Sequence, residues 1–174
     1  LSQAGAAAVR RWRPPADWHD RLWLTSPLRR AVATATLLGH PDARLAPALI
    51  EMDWGEFEGH TLAQLRRELG PTLAAHEALG LDFRPPGGES PREVMARLQA
   101  WLAELARSSG GGCVAVTHKG VRRVLLALAT GWSMQDKPPV KIGDGAALIL
   151  DWMAGQGLTL VSVHPLAPCP CPGP

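Results

Sequence analysis

Three groups of residues in this 174-residue chain have the types and spacing to do chemistry. The first centres on His118. An apolar run, Cys113-Val114-Ala115-Val116, leads through Thr117 to His118, and Val121, Val124, Leu125 and Leu128 then follow helical spacing. The pattern predicts a strand over 113–117 and a helix directly after it. Ligands bind beyond the carboxyl ends of strands in open α/β sheets. The unsatisfied N–H groups and positive dipole end of the following helix favour an anion there. Phosphate is the natural candidate, and a histidine at that point can donate a hydrogen bond to it. A lone histidine is more often a satisfied core or capping residue; the strand-to-helix position is what singles out His118. His19, His40, His60, His76 and His164 carry no such pattern.

The second group is cationic. Arg29 and Arg30 fall in a predicted first helical turn, and Lys119 opens the helix after His118. A cation at a helix N-terminus is unfavourable by roughly 0.3–1 kcal/mol, and a bound anion reverses that sign. The plain alternative is an arginine that points into water. The third group is Glu51, Asp53, Glu56 and Glu58, crowded into one loop. A phosphomonoester needs a proton delivered to its leaving oxygen, and a carboxyl whose pKa is raised by neighbouring carboxylates can supply it. A solvated acidic loop is the commoner meaning of such a run. The spacing does not match a calcium-binding loop, and no metal or cofactor is implied.

The elements that must position these groups alternate. Residues 1–11 read as helix. Residues 22–25 read as a strand, followed by a helix to about residue 38 with Ser26 as N-cap, Pro27 at its first position and Gly39 past its end. Residues 44–49 are weakly strand-like. Thr61 and Gln64 form a capping box before a short helix, Pro71 opens another, and Ser90 with Glu93 forms a second box before the stripe Val94, Leu98, Trp101, Leu102 and Leu105. Residues 146–152 and 158–163 read as a hairpin that adds an antiparallel edge to the sheet. The expectation is an α/β fold, a three-layer αβα sandwich with a mostly parallel central sheet.

Composition narrows the function. One domain over residues 1–164 accounts for the length, and 46% hydrophobic and 20% charged residues are ordinary for a globular chain. A net charge of +2 argues against nucleic acid, including through Arg122 and Arg123, and against an anionic membrane surface. Fifteen of the 18 basic residues are arginine, which suits bidentate contact with phosphate, although a GC-rich genome gives the same bias. Cys113 reads as a buried core thiol. Cys169 and Cys171 lie in a proline-rich tail, 165–174, read as disordered or extended; their spacing is no zinc pattern. No run of about eighteen apolar residues and no signal peptide is visible, so the expected location is cytoplasmic. Oligomeric state is not readable.

Taken together, the segments resemble the histidine phosphatase superfamily, also called the phosphoglycerate mutase-like family. Ser26 to Ala35 is similar to its S-x-x-x-R-A-x-x-T-A block, and Leu49 to Gly59 to its L-x-E-x-x-x-G-x-x-E-G block. Pro86-Gly87-Gly88-Glu89-Ser90, Val116-Thr117-His118 and Leu1-Ser2-Gln3-Ala4-Gly5 resemble three more, in family order. The resemblance implies that Arg30 binds the phosphoryl group, His118 stabilises its charge, and Glu51 protonates the leaving group and then helps water attack the phosphoenzyme. Glu89 lies near the family site or serves to position the following helix. Lys119 replaces the glycine or small residue usual there, as either an added phosphate contact or a crowding side chain.

The family's nucleophile is a histidine in an Arg-His-Gly motif ending its first, central strand. No histidine here follows an arginine and precedes a glycine, and the chain starts just after the place of that motif. The first strand is therefore expected to be missing, leaving open backbone edges. A covalent phosphohistidine cannot form by the family route, so the chain as it stands is expected to be inactive. The reading is a phosphomonoester hydrolase for a small phosphorylated metabolite, its nucleophile absent from a truncated sequence. The alternatives are an inactive member that binds a phosphate ligand or a partner, and a phosphoglycerate mutase-type phosphoryl transferase. The short stretch between Gly59 and Gly87 favours a phosphatase, of an α-ribazole phosphatase-like kind, over a mutase.

Overall fold

The computed structural model describes residues 1–108, 111–153 and 156–166. Its centre is a parallel sheet in the order β2-β1-β3, where β1 is Leu22–Thr25, β2 Arg44–Leu45 and β3 Cys113–Val116. Leu22 pairs with Cys113 and Thr25 with Val116, so the carboxyl ends of β1 and β3 finish level. Successive side chains alternate across the sheet. Leu24 packs with Val94 and Leu98 of α5 (Pro91–Ser108) and Val121, Val124 and Leu125 of α6 (Lys119–Thr130). Trp23 faces the other way. It stacks on His40, beyond α2 (Arg29–Leu37), at 3.7 Å between ring centroids, and its indole N–H donates to the Trp18 carbonyl. Helices thus cover both faces, and α1 (Gln3–Val9) leans on α2.

The local signals behave as capping chemistry requires. Thr61 and Gln64 exchange both capping-box bonds at the start of α3 (Leu62–Leu69), and Pro71 opens α4 (Pro71–Glu77). Ser90 and Glu93 bond reciprocally at the start of α5. Residues 44–49 split into the short β2 and a 3₁₀ turn, Pro47–Leu49. The helix after β1 differs from expectation. It begins at Arg29, capped by the Leu28 backbone, and Ser26 is not its N-cap. The Ser26 N–H instead continues the sheet, donating to the Val116 carbonyl at 2.9 Å, which leaves its hydroxyl for another partner.

The final hairpin also corrects the expectation. Among the described residues, β4 (Ala146–Met153) and β5 (Gly157–Pro165) pair only with each other, with a bulge between Ile149 and Leu150, and form a separate two-stranded sheet. They join the core through side chains, with Leu150, Trp152 and Leu158 in the same apolar cluster as β3's Cys113. Among the described residues no strand fills the far edge of β3, and Ala115 there is exposed. Of the expected tail, only Pro165 and Leu166 are described. Pro165 closes β5, and Leu166 bonds through its N–H to Gly145 and through its carbonyl to the Arg13 N–H. Cys169 and Cys171 lie outside the described residues. Cys113 is half-buried, and burial pushes its thiol pKa up. No described helix is long and apolar enough to cross a membrane.

Candidate active site

Level strand ends bring the residues that follow them side by side. Ser26 leaves β1 and His118 leaves β3, both buried, and Ser26 Oγ lies 2.7 Å from His118 Nε2. Arg30, in the first turn of α2, donates its Nε–H to His118 Nδ1 at 3.2 Å. With Nδ1 accepting, the neutral ring carries its proton on Nε2 and donates it to Ser26. Burial, then the Arg30 charge, then that of Arg97 push the His118 pKa down to about 4. Without a ligand the imidazole is therefore neutral at physiological pH.

Arg30 has unused capacity. A guanidinium has five N–H groups, and only the Nε–H of Arg30 is bonded to a described residue. Arg30 lines a cleft of about 730 Å³ with Leu28, Ile50, Glu51, Met52 and Arg84. His118, only 7% exposed, reaches that cleft through Arg30.

Glu51 comes to the same place from the loop after the Pro47–Leu49 turn. Its carboxylate accepts the Met52 N–H at 2.9 Å and, across the fold, the Gly120 N–H at 3.2 Å in the first turn of α6. A carboxylate thus already uses part of the anion-favouring start of the helix that follows His118. A Cβ at Gly120 would meet Glu51 Oε1, so a side chain there would have to displace the carboxylate. Three of the four acidic residues, Glu51, Asp53 and Glu58, line the same cleft, but they accept different backbone N–H groups. Asp53 accepts the Gly55 N–H at 2.8 Å, Glu58 accepts the Trp54 N–H at 3.3 Å, and Glu56 is exposed.

Glu89 also lines the cleft, but its carboxylate is engaged by Arg97, with Nε–H to Oε1 at 2.9 Å. Lys119 opens α6 with its side chain exposed. The structure therefore brings Arg30, Glu51 and Glu89 to the lining of the cleft, with Glu89 held in an ion pair, sets His118 behind Arg30, and leaves Lys119 exposed at the start of α6. Two residues of the site escape sequence reasoning. Ser26 has the pattern of a cap but binds His118, and Arg97 gives no local signal because its partners lie 8 to 49 residues away. Among the described residues no cluster of three metal-ligating side chains occurs.

Residues 1–164 match the model of the histidine phosphatase superfamily (branch 1). The chain is 28% identical over 143 residues to a fructose-2,6-bisphosphatase of Saccharomyces cerevisiae, covering 82% of this chain and 28% of that protein. It is 31% identical over 121 residues to the human 6-phosphofructo-2-kinase/fructose-2,6-bisphosphatase 3, covering 70% of this chain and 22% of that protein. The chain thus spans about a quarter of the length of these curated relatives. Among solved structures, a phosphoglycerate mutase from Thermus thermophilus superposes with a TM-score of 0.69 at 27% identity, over 95% of this chain and 84% of that one. A mycobacterial glucosyl-3-phosphoglycerate phosphatase in complex with inorganic phosphate gives 0.67 at 26%, over 92% and 84%. The architecture is phosphoglycerate mutase-like.

Proposed function

This chain belongs to the histidine phosphatase superfamily, branch 1, and we propose that its cleft is the phosphoryl site of a phosphomonoester hydrolase acting on a small phosphorylated metabolite. One observation carries the reading: Arg30 holds four N–H donors that no described residue uses, against a buried, neutral His118 at the carboxyl ends of two parallel strands. A phosphate dianion there would meet the Arg30 fork, worth charge-assisted bonds at each prong. Burial, then the charges of Arg30 and Arg97, hold the His118 pKa down, and the dianion would offset those charges, so the imidazole can take a proton and stabilise it. Glu51 stands at the cleft as the proton donor for the leaving oxygen, and afterwards as the base that takes a proton from attacking water. Leu28, Ile50 and Met52 supply apolar wall and Arg84 and Glu58 polar contacts, a lining suited to a small polar metabolite.

The covalent step of this family's route needs a second imidazole, to attack phosphorus as the ester oxygen leaves with the proton from Glu51. Beside His118 stands Ser26 rather than a second imidazole. A second reading is therefore a phosphate-binding member without turnover. The stretch between Gly59 and Gly87, filled by α3, α4 and a 3₁₀ turn, supports a phosphatase over a mutase.

Both readings require phosphate binding, so that is the first test. Inorganic phosphate at about 100 times its Kd should stabilise the chain by roughly 2.7 kcal/mol. Arg30→Ala should lose at least tenfold in affinity, the cost of roughly one or more charge-assisted hydrogen bonds. A denaturation midpoint that ignores phosphate, or an Arg30→Ala chain that binds it equally well, would overturn the site. Hydrolysis of p-nitrophenyl phosphate by the 174-residue chain would exclude the reading without turnover.

A further inference from the structure

Three arginines, Arg30, Arg84 and Arg97, line the cleft, and the hydrogen bonds of Arg30 and Arg97 separate their roles. Arg30 spends one N–H on His118. Arg97, on α5 beside the fully buried Leu98, spends four. Its Nε–H donates to Glu89 Oε1 at 2.9 Å, and its Nη2 donates to Glu89 Oε2 at 3.1 Å and to the Ile50 carbonyl at 2.8 Å. Its Nη1 donates to the Ala48 carbonyl. Glu89 in turn accepts the Asp53 N–H at 3.4 Å and donates its own N–H to the Asp53 carbonyl at 2.8 Å. The pair thus grips the chain at 48, 50 and 53, on both sides of Glu51. Between the grips, Leu49 is buried and its carbonyl accepts from Thr117 Oγ1 at 2.8 Å, and Met52 is buried.

We propose that Arg97, with Glu89 as its counter-ion, is a positioning residue. It sets the backbone that carries Glu51 and so aims the Glu51 carboxylate at the start of α6, and it is not an anion ligand although it lines the phosphoryl cleft. The proposal rests on the reading of Glu51 as the proton donor for its functional meaning, but its geometry does not. With one N–H left and a carboxylate in bidentate contact, Arg97 has little to offer a phosphate. A planar five-donor fork can serve two carbonyls and a carboxylate together, whereas a lysine ammonium is a single point with three donors. The loop would otherwise have two carbonyls and one amide looking for partners beside the candidate acid, and water would take them at the cost of a fixed position.

The test uses the 174-residue chain and the backbone amide resonances of Gly120 and Met52, which report the two bonds to the Glu51 carboxylate. Glu51→Ala supplies the reference positions for a lost acceptor. Arg97→Met is expected to move both resonances towards those positions, and Arg97→Lys to fail to restore them. Glu89→Gln, which keeps shape and removes charge, should move them the same way by less; it also decides the matter if Arg97→Met does not fold. Resonances that stay at their wild-type positions in the folded variants overturn the proposal. Phosphate titrations separate it from the functional reading. A tenfold or greater loss of phosphate affinity in Arg97→Lys would make Arg97 a ligand and overturn the positioning role. Absence of phosphate binding in the wild type would overturn the phosphoryl site and leave the Gly120 and Met52 result standing.

Discussion

His118 is where residue-scale physics makes the sharpest demand. An unfolded chain protonates this imidazole near its ordinary value of 6.5, and the folded one only near 4, because burial, Arg30 and Arg97 oppose the charge. Between those values the unfolded state binds the extra proton, so stability falls as the pH drops from about 6.5 to about 4. The shift corresponds to roughly 1–3 kcal/mol over that window. Urea midpoints measured at pH 7, 5.5 and 4.5 should show the decline. His118→Gln should remove most of it, and saturating phosphate should shallow it by returning His118 towards its ordinary value. A His118→Gln chain with the same pH slope as the wild type would mean that the buried imidazole is not what titrates. The local anomalies at this scale are legible in the sequence: arginines in a first helical turn and a histidine at a strand end. Their partners are not, because Ser26 and His118 are 92 residues apart and Arg30 and His118 are 88 apart, and no local propensity encodes such pairings.

Elements show the same division. Capping boxes at Thr61 and Ser90 are readable because both members of each lie within one turn. The departure at Ser26 has a physical cause: Ser-Pro is a good helix start in isolation, but pairing with β3 carries the extended backbone one residue past β1. Glycines give a clean test of how the acidic loop is held. Gly55 has φ +50° and faces the 85–88 turn so closely that an added Cβ would meet the Pro86 carbonyl and lie 2.7 Å from the Gly87 carbonyl carbon. Gly59 has φ +78° but open space around it. Gly59→Ala should therefore cost only the left-handed backbone penalty, about 1–2 kcal/mol. Gly55→Ala adds a collision with backbone and should cost roughly 3 kcal/mol or more, as overpacking on top of strain does. Equal losses in the two variants, read from urea unfolding, would show that the 51–59 loop is not seated against the 85–88 turn.

At the scale of the whole molecule the decisive feature is that one apolar core holds two unconnected sheets. β3 is parallel, and parallel strands are normally paired and covered on both sides. Here its only partner among the described residues is β1, while β4 and β5 pair with each other and meet β3 through Cys113, Leu150, Trp152 and Leu158. The α/β class and the order of elements are legible because each helix and strand carries its own pattern. That the hairpin stands apart is not, because it depends on what lies between β3 and β4 rather than on either sequence. Leu1 lines a small cavity with Pro27 and Arg29, so residues placed ahead of it would arrive beside the carboxyl end of β1, where Ser26 and His118 sit. A strand ending in Arg-His-Gly and fused ahead of Leu1 is therefore expected to do two things at once. Pairing with β3 and the hairpin would join the two sheets and raise the unfolding free energy by several kcal/mol, on the order of a few backbone hydrogen bonds and the apolar area they cover. Its histidine would stand at the strand ends with Arg30 and His118 and support hydrolysis of p-nitrophenyl phosphate that Arg30→Ala or His118→Ala abolishes. The same fusion with Arg-Ala-Gly separates the two effects, since it should keep the stability and lose the turnover. Stability without turnover in the histidine form would leave a phosphate-binding protein, and neither gain would mean that the free edge of β3 does not accept a strand from that direction.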